Sequence, residues 1–61
     1  MIYTRFGTEV EIVGATYTVS GEVDYVTIRY DDGEEREVEV YELRADDGMD
    51  EIMETVIALG Q

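Results

Sequence analysis

The hydrophobic residues of this chain keep two rhythms, and the change between them near Leu43 restricts the available folds more than any other feature. Before it, they recur at every second residue. Val10, Ile12 and Val13 lie in one run, Tyr17 and Val19 in the next. Tyr25-Val26-Thr27-Ile28-Arg29-Tyr30 follows, and then Val38 and Val40 alternate with Glu37, Glu39 and Tyr41. Period-two alternation rich in β-branched and aromatic residues marks half-buried strands. After Leu43 the interval lengthens. Met49, Ile52, Met53, Val56 and Ile57 fall at i, i+3, i+4, i+7 and i+8, one stripe of an α-helix. The pattern predicts a mainly β (α+β) chain: strands within 1–41 and a helix over about 48–59, in a single domain 1–61. The strands would make a bent antiparallel sheet, closed by the C-terminal amphipathic helix.

Local signals refine this outline. Gly14, inside the first long run, predicts a bulge or sharp bend, and Ser20-Gly21 marks a turn. The hairpin around Asp31-Asp32-Gly33 can be given a register. Val26 and Ile28 share a face with Tyr30, and Val38 shares one with Val40. Setting Val26 opposite Val38 needs an odd loop, because a one-residue slip turns every side chain over. A three-residue loop, Asp31 to Gly33, is therefore expected, with Gly33 left-handed in a G1 bulge. Thr27 then faces Glu37, and Arg29 faces Glu35. Tyr41-Glu42-Leu43-Arg44 is expected to form a short turn with Leu43 buried. In the helix, Asp47 fits the N-cap, Asp50 and Glu51 suit the first turn, and Gly60 can end it. Three turns are too few for a helix to be stable alone, so the stripe must cover a sheet or a partner.

Size and composition then narrow the function. The chain has 61 residues, with no cysteine and no histidine. Disulfides and thiolate or imidazole metal sites are excluded, so apolar packing or self-association must stabilise it. Sixteen acids stand against four basic residues, all of them arginine, for a net charge of −12. Such a chain repels nucleic-acid phosphates and anionic membranes, and attracts a basic protein partner. No stretch approaches the ~20 apolar residues of a membrane span. Met1-Ile2-Tyr3-Thr4-Arg5 lacks the basic-then-apolar form of a signal peptide. A cytoplasmic protein is expected.

The order of short strands, an Asp-Gly hairpin and a single turn around a leucine resembles SH3-like barrels of the Tudor and KOW types. Val26-Thr27-Ile28-Arg29-Tyr30-Asp31-Asp32-Gly33 carries the likeness, with Val38, Val40 and Glu42-Leu43-Arg44. It covers most of residues 8–44 and implies a small barrel as the form of the bent sheet. The helix in place of a last strand departs from that family. So does the lack of a basic surface, which sets aside KOW-like RNA binding. More loosely, Phe6-Gly7-Thr8-Glu9-Val10 and Glu42-Leu43-Arg44-Ala45-Asp46 look like short phage or prophage proteins, which implies an accessory role.

Three features are candidates for function. The first is the acidic hairpin: Asp31, Asp32, Glu34, Glu35, Glu37 and Glu39. It lacks the alternating ligands of a calcium loop, as does Asp46-Asp47-Gly48. Glu37 and Glu39 also suit a plain solvated face. Taken together, the acids suggest a nucleic-acid mimic that inhibits a DNA- or RNA-binding protein. Outward residues on a strand recur every ~6.6–6.8 Å, against one phosphate per ~1.7 Å of duplex axis, so one strand alone matches poorly. The second feature is the tyrosines. Tyr25 and Tyr41 would share the outer face with Glu39 between them. Aromatic rings with a carboxylate suit capture of lysine or arginine, and they equally suit plain cross-strand packing. In Tudor-like barrels, aromatics near loops hold methylated cations, which is what the resemblance implies for this pair. The third is the helix stripe, either core or the face of a homo-oligomer. Catalysis is not expected: no histidine, cysteine or lysine is present to act as base or nucleophile. No cofactor is implied. The reading is a non-catalytic acidic protein-interaction module, with the mimic as its alternative.

Overall fold

The computed structural model describes residues 2–46 and 48–59. The elements run β1 (Tyr3–Arg5), β2 (Thr8–Tyr17), β3 (Val23–Arg29), β4 (Glu35–Val38), a 3-10 turn (Val40–Glu42), β5 (Leu43–Ala45) and α1 (Met49–Leu59). The strands form one antiparallel sheet in the order β4-β3-β2-β1-β5. The fold is therefore mainly β with one C-terminal helix. Among the described residues, no helix is long and apolar enough to cross a membrane.

The long β2 organises the sheet. Thr8 to Val10 pair with β1, while Glu11 to Tyr17 pair with β3 on the opposite edge. Within the second stretch Ile12 faces Ile28 and Gly14 faces Thr27, so Val13 is an extra residue. That is the bulge expected at Gly14, and a bulge sharpens the local twist and bends the strand.

The β3–β4 hairpin has the expected register. Val26 faces Val38, Thr27 faces Glu37 and Arg29 faces Glu35. Tyr30 N–H donates to the Glu34 carbonyl at 2.8 Å, and Gly33 N–H donates to the Tyr30 carbonyl at 2.9 Å. Gly33 has φ +89°. The β2–β3 hairpin repeats this construction. Thr18 N–H donates to Glu22, Gly21 N–H to Thr18, and Gly21 takes the left-handed position. Val19 consequently sits fully exposed at a loop tip. Its place in the strand alternation is corrected: the turn needs Val19, Ser20 and Gly21, and β2 ends at Tyr17.

A second correction concerns residues 40–45. Val40 does not extend β4, and Leu43 and Arg44 are not part of the turn expected over Tyr41 to Arg44. Val40 to Glu42 coil as a 3-10 turn, in which Glu42 N–H donates to the Glu39 carbonyl and Glu42 Oε2 accepts from Glu39 N–H at 3.1 Å. Leu43 to Ala45 then form a fifth strand against β1, beyond the expected limit of residue 41. Three residues are too few to show a period, and only the partner strand defines them. Leu43 is buried, as expected.

Val10, Ile12, Val26, Ile28, Val38, Leu43, Ile52 and Val56 make the core, and among the described residues no polar or charged one is buried in it. The helix is seated by Ile52 and Val56. Two tyrosines fix its C-terminal half. Tyr3 Oη lies 2.6 Å from Thr55 Oγ1, and Tyr17 Oη donates to the Val56 carbonyl. Only part of the apolar stripe is core. Met53 is half-buried, whereas Met49 and Ile57 are 39% and 52% exposed. The expected N-cap Asp47 and helix stop Gly60 lie outside the described residues.

Candidate functional site

The outer face of β2, β3 and β4 follows from strand parity. Val26 and Ile28 point into the core, so Tyr25, Thr27 and Arg29 point away from it. Their partners lie in rows. Arg29 links Glu11 on β2 to Glu35 on β4, at 3.3 and 3.1 Å. Thr27 faces Glu37 on one side and Gly14 on the other. Continuing the register one step beyond β4 brings Glu39 opposite Tyr25. Tyr25 is further held at its backbone, where its N–H donates to Thr16 Oγ1 at 3.1 Å.

The 3-10 turn swings Tyr41 to this end of the face. Attraction to the Glu39 carboxylate, first by hydrogen bonding and then by charge, holds the Tyr41 phenol above its ordinary pKa, and Tyr25 also lies near enough to act on it. Tyr25 and Tyr41 are 41% and 64% exposed. Among the described residues, neither Glu37 nor Glu39 forms an ion pair. The face thus has an ion-paired end at Glu11–Arg29–Glu35, where one arginine is shared by two carboxylates, and an acidic, aromatic end without ion pairs among the described residues at Glu37, Glu39, Tyr25 and Tyr41.

The remaining acids of the hairpin are elsewhere. Asp31 and Asp32 occupy its tip, where Asp32 Oδ1 accepts from Glu34 N–H at 2.9 Å. Glu34 lies opposite Tyr30, so it takes the other face from Glu35 and Glu37, and it binds Arg36 at 2.8 Å. These residues border an open cleft of about 580 Å³ with Arg5, Glu9 and Tyr30. Among the described residues, no group of three acids is placed to hold a metal ion.

Sequence reasoning missed the surroundings of Arg5. Arg5 donates from Nε and Nη2 to Glu42 Oε1, and from Nη1 to Tyr30 Oη at 2.9 Å. The Tyr30 contact, then Glu42, raises the pKa of its guanidinium. Glu42 is held below the usual carboxylate range, first by the Glu39 N–H and then by Arg5. The Phe6 ring lies 4.8 Å from the Arg5 guanidinium. It is 77% exposed, at φ +51° in the two-residue Phe6-Gly7 turn. A hollow of about 500 Å³ bordered by Phe6, Tyr41, Glu42 and Arg44 joins this ring to Tyr41. Phe6-Gly7 does carry a turn signal in its glycine, but a phenylalanine in the left-handed region is not something residue preference suggests.

The chain matches no family model, no curated protein and no solved structure.

Proposed function

We propose that the chain is a non-catalytic interaction module that takes basic side chains of a protein partner at the acidic, aromatic end of its outer sheet face. One observation carries the reading. Tyr25 and Tyr41 stand exposed around Glu39, next to Glu37, and neither carboxylate is engaged by an arginine among the described residues. A cation over an exposed aromatic face gains about 0.5–1 kcal/mol. The carboxylates add attraction that steers a basic partner inward and weakens with salt. The absence of histidine, cysteine and lysine from the sequence supports a non-catalytic role. The sheet order, with a 3-10 turn between β4 and β5, supports the SH3-like reading of the scaffold.

The net charge of −12 keeps the nucleic-acid mimic as the second reading. Its weakness is geometric. The hairpin acids divide between two faces, and Arg29 and Arg36 neutralise Glu35 and Glu34.

The test is an NMR titration with a short arginine-rich peptide. A module of this kind concentrates the shift changes at Tyr25, Glu37, Glu39 and Tyr41. Replacing both tyrosines by alanine weakens binding more than reversing Glu22 and Asp24 to lysine does. Shifts spread over every acidic surface in proportion to charge would refute the site.

A further inference from the structure

We propose that the outer flank of α1, an apolar ridge of Met49, Met53 and Ile57 bordered by Asp50 and Glu54, docks a basic amphipathic helix of a partner protein. The ridge is a consequence of helix geometry. Residues four apart lie one above another on a helix, so Met49, Met53 and Ile57 form a continuous line. The core takes the neighbouring line, Ile52 and Val56, and leaves this one half-buried to exposed. Each further residue along the chain turns the helix by about 100°. Asp50 and Glu54 therefore border the ridge on its solvent side, and both are exposed.

Two features select the occupant. Methionine is unbranched and polarizable, and adapts its shape to a docked apolar side chain. The charge selects the sign. The helix has acids in its first turn and no basic residue in its last. An apolar ridge with an acidic border complements a helix bearing leucine-like residues on one face and lysine or arginine beside them. A second copy of this chain fits less well. Symmetric pairing would set Asp50 and Glu54 against their own equivalents and bring together two chains of −12 each.

The inference rests on the proposed function only for the basic character of the partner; its surface is separate from Tyr25 and Tyr41. The test uses two synthetic leucine–lysine peptides of one composition, one ordered to be amphipathic as a helix and one scrambled. Binding is measured by fluorescence anisotropy at about 150 mM salt, where long-range charge effects are screened. The amphipathic peptide should bind about tenfold more tightly. The double variant M49A/I57A should abolish that preference while its unfolding midpoint stays close to that of the parent, and Y25A/Y41A should leave the preference intact. Equal binding of the two peptides overturns the proposal. So does a preference that survives M49A/I57A, or sedimentation showing a dimer that M49A/I57A dissociates. Failure of the arginine-peptide titration with success here would remove the sheet-face site and leave this one standing.

Discussion

Arg5 sets Nε and Nη2 on one oxygen of Glu42, at 3.1 and 2.9 Å, and joins the end of β1 to the 3-10 turn before β5 across 37 positions of sequence. The same Glu42 carboxylate holds the turn closed through the Glu39 N–H. A single acid thus positions Tyr41 and aligns the fifth strand.

This coupling has a pH signature. The Glu42 pKa is lowered in the folded chain. Its contribution is complete above the unfolded carboxylate value of about 4.3, and is lost as pH falls through the lower folded value. Glu42→Gln should lower the thermal midpoint at neutral pH, and the gap between variant and parent should close in acid. The comparison between the two chains matters, because acid also relieves the self-repulsion of both. A gap that is constant across pH would show that Glu42 acts without its charge.

The β3–β4 loop gives a backbone prediction. A Cβ at Gly33 would meet no atom within 4 Å, so only its φ of +89° opposes substitution. Gly33→Ala should cost about 1 kcal/mol, and Gly33→Asn less, because asparagine tolerates the left-handed region. At Gly14 a Cβ would make ordinary contact with Thr27 Cβ at 3.7 Å, and no positive φ opposes it. Gly14→Ala should be close to neutral in chemical denaturation. Equal losses at the two glycines would mean that crowding, not φ, governs both.

That hairpin was legible because three demands coincide in few residues: Val26 and Val38 must both face inward, a loop must join them, and glycine stands where φ is positive. The stripe of α1 was legible as a helix for the same reason. What stayed hidden has a common cause. β5 exists only because β1 lies beside it, and the Arg5–Glu42 pair joins segments too distant for any local pattern to connect. The hairpin acids, adjacent in sequence, are divided by strand parity and by the tip, so Glu34 parts from Glu35. Tyr25, Glu39 and Tyr41 came together as the alternation implied, although a 3-10 turn brings Tyr41 there and not a longer strand.

The helix can be tested by comparing its two lines. Ile52 is fully buried and Ile57 is largely exposed. Ile52→Ala should cost about 2–5 kcal/mol, enough to unfold a domain of this size at ordinary temperature. Ile57→Ala should cost under about 1 kcal/mol, and Met53→Asp should fall between them. Urea denaturation followed by circular dichroism measures all three. Similar losses at Ile52 and Ile57 would mean that the helix packs differently on the sheet.

Phe6 offers a prediction of opposite sign. A bulky side chain at positive φ carries a backbone cost of about 1–2 kcal/mol, and its ring stays mostly in water. Its stacking on Arg5 is an exposed contact. Phe6→Asn should therefore raise the unfolding midpoint, since asparagine favours this turn position. A lower midpoint would assign Phe6 a packing role that outweighs its strain.

The last prediction concerns Tyr41. Hydrogen bonding to Glu39, and then the Glu39 charge, raise its phenol above the ordinary value of about 10. A raised folded pKa means that the contribution is fully present below the unfolded tyrosine value and is lost as pH rises through the folded one. The phenolate absorbance of Tyr41 can be isolated by subtracting the alkaline titration of Tyr41→Phe from that of the parent. Glu39→Gln should then shift the Tyr41 titration downward, because an amide brings no negative charge to oppose the phenolate. The same substitution should weaken binding of an arginine-rich peptide, since the carboxylate that holds the phenol neutral is the one that would face the incoming cation. A Tyr41 titration unmoved by Glu39→Gln would separate the two side chains and remove the centre of the proposed site.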